Sequence, residues 1–147
     1  MPSTYLSLNY HIVFGTKHRE PFITPEILPR LHEYLGGTIR GLGGFPHRIG
    51  GIADHVHLLV SLKATHTLAD VMRELKKASS AWVHDTLGER QFAWQEGYAA
   101  FTVSASAIDA VRGYIANQER HHHVKSFNEE LVDMLEKAGV DYNPIYL

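Results

Sequence analysis

The sequence of 147 residues contains no cysteine, which excludes disulfides, thiolate zinc sites and cysteine nucleophiles together. It also lacks any uninterrupted apolar run near the roughly 18 residues that a membrane-crossing helix needs. Neither sign of charge dominates, with 14 Lys and Arg against 16 Asp and Glu. A uniformly basic surface is therefore excluded, and any phosphate partner must be met by a local basic face. From Glu119 onward six acidic residues stand against three basic ones, so positions before Glu119 are close to neutral. The opening segment MPSTYLSLNYHIVF has no basic stretch followed by a cleavable apolar one, and a cytoplasmic location is the expectation. What is present is 44% hydrophobic and 20% charged residues, enough for a packed core and of a length that suits a single domain over residues 1–147.

The hydrophobic periodicity changes along the chain in a readable order. Tyr5 to Phe14 is rich in Tyr, Ile, Val and Leu and reads as a strand that ends at Gly15. From Thr24, with Pro25 in the first turn, the apolar set Ile27, Leu28, Leu31, Leu35 and Ile39 recurs at helical spacing until the glycines at 41 to 44 stop it. Phe45 to Ala53 and His55 to Leu62 read as neighbouring strands broken near Asp54. Thr67 caps a helix with Leu68, Val71, Leu75, Ala78 and Trp82 on one face, ending near Gly88. Tyr98 to Ser104 supplies a fourth strand, and Ser106 opens a helix that carries Ile108, Val111 and Ile115 into a histidine tract. A last amphipathic helix runs from about Phe127 to Ala138 and closes at Gly139. The order predicts an α+β fold, a ferredoxin-like βαββαβ sheet with two helices on one face, followed by C-terminal helices.

Two pairs of residues carry possible chemistry. In His55-Val56-His57 the period of two puts both imidazoles on one face of the strongest strand, which is half of a metal site or a pair of packed histidines. Tyr114 and Gln118 stand four apart on a helix, so a phenol and an amide project together. Asp54 either orients one imidazole or is a turn residue before the strand. Lys17 and Arg19, after the first strand, and Arg73, Lys76 and Lys77, on the second helix, are candidate phosphate contacts, or ordinary solvated bases. The tract at 121 to 123 reads as a solvated, partly cationic helix end, separate from the histidine pair. Trp82 reads as core; Trp94 lies in a loop and is either core or a platform for a nucleic-acid base.

These segments together resemble a known family. YHIVFGTKHREPF, DHVHLLVSL, LKKASSAWV, WQEGYAAFTVS, YIANQERHH and the tail GVDYNPIYL match, in order and over nearly the whole chain, the HUH single-tyrosine transposases of small insertion sequences, including the REP-associated tyrosine transposases. The resemblance implies that His55, His57 and Gln118 hold one divalent cation, Mg2+ or Mn2+, and that Tyr114 is the nucleophile. It further implies cleavage and rejoining of single-stranded DNA through a 5′-phosphotyrosine, recognition of DNA hairpins at element ends, and a homodimer whose tyrosine helix can complete the partner's histidine pair. Such a ligand set is neutral and is a poor magnesium cage, so manganese is expected to be held better. Two other readings are a non-catalytic hairpin-binding relative and, from a different class, a His-rich metal-binding domain unrelated to DNA.

Overall fold

The computed structural model describes residues 3–122 and 124–147. Four strands, β1 (Asn9–Gly15), β2 (Phe45–Ile52), β3 (His55–Ser61) and β4 (Ala99–Thr102), form one antiparallel sheet in the order β2-β3-β1-β4. Between them run α1 (Leu28–Gly41) and α2 (Leu68–Asp85), and after β4 come α3 (Ile108–Ala116), the single turn α4 (Gln118–His121) and α5 (Phe127–Ala138). This is the βαββαβ arrangement that the periodicity predicts, with α3 to α5 as the C-terminal helices. Among the described residues no helix is long and apolar enough to cross a membrane.

Alternation along the two central strands divides the sheet chemically. Ile12 and Phe14 of β1 with Val56, Leu58 and Val60 of β3 turn to one face, where Leu31, Leu35 and Ile39 of α1 and Val71, Met72 and Leu75 of α2 cover them in the main core. The opposite face carries His11, Val13, His55, His57 and Leu59. Val13 packs with Phe127, Leu131 and Leu135 of α5, and Leu59 packs with Val103 and with Ile115 of α3. The sheet is thus sandwiched, and its second face is part apolar and part imidazole.

Local chemistry sets the helix limits. The Thr67 hydroxyl accepts from the Asp70 N–H at 3.3 Å and starts α2. Ser126 and Glu129 close a capping box on α5, and Gly139, at φ +70°, ends it in the left-handed region that glycine enters without strain. Gly50 has a different purpose. It pairs with His57 across the β2–β3 ladder, and a Cβ there would lie 2.4 Å from the Ile115 carbonyl, so only glycine lets the α3 backbone settle directly on β2.

Several boundaries differ from the sequence expectation. β1 starts at Asn9 rather than Tyr5 because its partner β3 ends at Ser61, opposite Asn9; Tyr5 and Leu6 remain exposed. α1 begins at Leu28 after a turn. The helix after β4 is not continuous, because Asn117, at φ −102° and ψ 22°, turns its side-chain amide back onto the Gly113 carbonyl and separates α3 from α4. Trp94 is core: it is 8% exposed, meets Phe14 edge-on and donates its indole N–H to the Ser79 hydroxyl at 2.9 Å. Trp82 is only partly buried, and it stacks on Tyr34 at the rim of the α1–α2 layer.

Candidate active site

Both histidines of the β3 pair are fully buried beneath α3, α4 and α5. The His55 ring donates from Nδ1 to the Asp54 carboxylate at 2.8 Å, which leaves Nε2 as its lone-pair nitrogen, 2.9 Å from Gln118 Oε1. Asp54 is therefore the residue that orients His55. Burial pushes the Asp54 carboxyl up, but the hydrogen bond from His55 holds it below the usual range. One strand over, His11 Nε2 lies 2.7 Å from His57 Nδ1, and His57 Nε2 lies 3.0 Å from Glu130 Oε1. Burial, and after it the neighbouring His57, push the His11 pKa down to about 3.

The second half of the cluster comes from the C-terminal helices. Tyr114, near the end of α3, donates its hydroxyl to Glu130 Oε2. Gln118, the first residue of α4, donates its amide to the same carboxylate oxygen at 3.0 Å, which turns Gln118 Oε1 toward His55. Glu130 is 2% exposed and accepts from Tyr114 and Gln118 on one oxygen, with His57 Nε2 3.0 Å from the other. Burial opposes its charge, but the hydrogen bond and charge of His57 and the bonds from Tyr114 and Gln118 outweigh burial, and the carboxyl is held well below its ordinary value. Burial first, and then the Glu130 carboxylate, push the Tyr114 phenol well above its ordinary value. In this arrangement the phenol is a protonated hydrogen-bond donor.

His122 completes the cluster, against the expectation that the histidine tract is a solvated surface. Its Nδ1 donates to the Lys125 carbonyl at 2.5 Å, and its Nε2 stands 3.0 Å from Gln118 Oε1 and 3.2 Å from Glu130 Oε1. The tract does not act as a unit: the His121 side chain is partly exposed, and His123 lies outside the described residues. The reason for the difference is the turn at Asn117 and the return of α5, which fold His122 inward. Phe127 closes the side of the site, its ring parallel to His55 within 8° at 4.1 Å.

The five candidate phosphate contacts do not gather in one place. Arg19 reaches the edge of the site: its guanidinium lies 4.5 Å from the centre of the Phe127 ring and donates to Gln95 Oε1 at 2.8 Å and to Asn128. Lys17 lines a surface cavity beside it, with Gln95 and the C-terminal Tyr146. The α2 bases belong to the helix layer across the sheet. Arg73 pairs with Asp70 at 2.9 Å, Lys77 is exposed, and Lys76 donates to the carbonyls of Gln95 and Gly97, with burial lowering its pKa to about 8. Lys76 thus ties the 95–97 loop to α2.

Against this geometry, four similarities bear on identity. Residues 4–118 match the model of the family "Transposase IS200 like". The chain belongs to the IS200-like transposase family. It is 26% identical over 117 residues to the ISDra2 transposase TnpA of Deinococcus radiodurans, covering 76% of this chain and 84% of the relative. Two solved structures share the fold. One is a candidate transposase from Deinococcus radiodurans, with TM-score 0.65 and 24% identity over 80% of this chain and 96% of that one. The other is a REP-associated tyrosine transposase bound to a REP hairpin, with TM-score 0.60 and 13% identity over 83% and 74%.

Which residues of this IS200-like transposase could hold a divalent cation follows from hydrogen-bond accounting. The Nδ1–H of His55 is committed to Asp54 and that of His122 to Lys125, so both rings present lone pairs at Nε2. Those lone pairs face Gln118 Oε1, itself an acceptor, and the Glu130 carboxylate. Acceptors facing acceptors in a buried space call for positive charge among them. Donor atoms of His55, His122 and Glu130 all lie within 4.8 Å of one another, so the donor set fits a metal ion.

Sequence reasoning for this transposase missed Glu130, His122 and His11. Each left a signal. Glu130 stands three after Phe127 and four before Met134, a carboxylate inside an apolar helical stripe. His122 continues the spacing of four from Tyr114 through Gln118. His11 shares the β1 face of Val13, which pairs with His57.

Proposed function

We propose that this transposase nicks and rejoins single-stranded DNA, with Tyr114 as the nucleophile and His55, His57 and Gln118 holding a divalent cation, Mg2+ or Mn2+. The observation that supports it most is the single carboxylate of Glu130, which gathers the Tyr114 hydroxyl, the Gln118 amide and the His57 imidazole at one buried point. Nothing in a purely structural histidine cluster requires a phenol whose oxygen is held at the same point.

In the reaction, a DNA strand lies over the site with one phosphorus in line with Tyr114 Oη. As that oxygen bonds to phosphorus the phenol becomes acidic, and its proton then passes to Glu130, whose Oε2 it already contacts. The Tyr114 Oη–P bond forms, the P–O3′ bond breaks, and the departing 3′-oxygen takes a proton from water. The phosphodiester becomes a 5′-phosphotyrosine ester, so a second 3′-hydroxyl can reverse the step without another energy source. When bound, the cation polarises a non-bridging phosphate oxygen and offsets charge at phosphorus. His55, fixed by Asp54 and stacked on Phe127, keeps its Nε2 aimed at one point, and Arg19, just beyond Phe127, is placed for a phosphate flanking the scissile one.

Residues 1–147 act as one domain in this reading, and a hairpin at an element end positions the strand. The two edges of the sheet, β2 and β4, are surfaces for pairing with a second copy, and a homodimer places two sites for two DNA ends. The experiment is incubation with labelled single-stranded oligonucleotides from the gene's own flanks plus manganese, followed by denaturing electrophoresis. A protein-DNA adduct supports the transesterase, and hairpin binding without an adduct or cleavage supports the non-catalytic relative instead.

A further inference from the structure

His122 and Glu130 lie beyond the residues that match the family model, which end at Gln118, and both enter the site. Their placement changes the kind of metal centre that this chain can form. His55 Nε2, Gln118 Oε1, His122 Nε2 and Glu130 Oε1 make a closed ring whose successive separations are 2.9, 3.0, 3.2 and 3.5 Å. A dication about 2.0–2.2 Å from each of its nitrogen and oxygen ligands sets neighbouring ligand atoms roughly 3.0–3.6 Å apart. The ring has the dimensions of the edge of a coordination sphere. His57 Nε2, 3.0 Å from the Glu130 oxygen in that ring, stands next to it.

The atoms beyond the ring prepare it for a metal. Asp54 and the Lys125 carbonyl accept from the Nδ1 nitrogens of His55 and His122, the usual arrangement that fixes a ligating imidazole's tautomer and aims its lone pair. Gln118 Nε2 and the Tyr114 hydroxyl bind the other Glu130 oxygen, which leaves Oε1 to the ring.

We propose that His122 and Glu130 are metal ligands together with His55 and Gln118, and that this site binds a transition-metal dication such as Mn2+ or Co2+ in the absence of DNA, in preference to Mg2+. The His122 imidazole and the Glu130 carboxylate, in a buried, aligned ring, add to the neutral set of His55, His57 and Gln118. Imidazole nitrogen favours the later first-row ions, whereas magnesium keeps its waters and seeks oxygen. The carboxylate supplies a negative charge that a pair of histidines and an amide lack. Because the same carboxylate holds Tyr114 on its second oxygen, the ion and the nucleophile are joined through one side chain. The proposal deepens the transesterase reading and rests on it only for the use to which the ion is put.

The test is calorimetric titration of the full-length, metal-free protein, without DNA, with MnCl2, CoCl2 and MgCl2 in turn. One site per chain is expected, with magnesium at least about tenfold weaker than manganese. His122→Ala and Glu130→Gln are each expected to weaken manganese about 10- to 100-fold. Wild-type affinity in both His122→Ala and Glu130→Gln, or equal affinity for magnesium, overturns the proposal. A variant-free check is the proton spectrum of the cobalt form: a paramagnetically shifted imidazole N–H signal from His122 is expected beside that of His55, and its absence counts against the ring even if a variant misfolds. Loss of the oligonucleotide adduct in wild-type protein with these metal results intact would instead overturn the transesterase reading.

Discussion

The hydroxyl of Tyr114 donates to the carboxylate of Glu130, joining α3 to α5. The bond makes the phenol part of the same buried network as His57 and Gln118, and it orients the oxygen while keeping it protonated. Replacement of Tyr114 by Phe removes that oxygen and leaves the ring in place. The expected result is loss of both covalent adduct and cleavage, with hairpin binding in a mobility-shift assay retained; residual adduct sinks the assignment of the nucleophile.

His55→Ala and His57→Ala each remove a fully buried imidazole. Metal-dependent cleavage is expected to fall roughly 10²- to 10³-fold for either variant, since charge stabilisation at phosphorus is what is lost. Circular dichroism checks that the fold survives. Undiminished wild-type cleavage in excess chelator contradicts the metal mechanism.

Gly50 bears on how the tyrosine helix reaches the histidines. Gly50→Ala places a Cβ 2.4 Å from the Ile115 carbonyl, which the backbone of α3 must yield to by moving off β2. Overpacking of this kind costs about 1–3 kcal/mol, so a lower Tm is expected along with reduced cleavage. An unchanged Tm on thermal unfolding removes the close approach as a determinant of the site.

Acid should destabilise the fold before the carboxylates titrate. The pKa of His32, lowered to about 4 by burial and then by Arg48, and that of His11, lowered to about 3, both lie below the ordinary 6.5. A base whose folded value is depressed contributes stability that is complete above pH 6.5 and lost as pH falls toward the folded value. Tm is expected to decline between pH 6.5 and 4, and His32→Leu to make the decline shallower. Equal slopes for the two proteins contradict the burial of a neutral His32.

Within one chain the structure brings Tyr114 and Gln118 to the histidines of the same chain. Mixing Tyr114→Phe with His57→Ala, with subunit exchange verified by mass spectrometry, is therefore expected to restore no cleavage. Recovery in the mixture means that the α3–α4 segment crosses to a partner in the active assembly.

The sequence by itself determined the sheet, the two covering helices and the capped ends of α2 and α5, because these depend on local periodicity and on side chains that bond their own backbone. It also determined that His55 and His57 share a face, since alternation in a strand leaves no choice. It placed Tyr114 and Gln118 on a common side but could not show the turn at Asn117 between them. Only the tertiary structure decided what meets the pair. The return of α5 brings Glu130 and Phe127 from far along the chain, pairing of β1 with β3 sets His11 against His57, and the turn at Asn117 draws His122 inward from a tract that composition marks as solvated. These are contacts between segments whose separation in sequence carries no period, and they form because burying the second face of the sheet requires each imidazole there to find a hydrogen-bond partner.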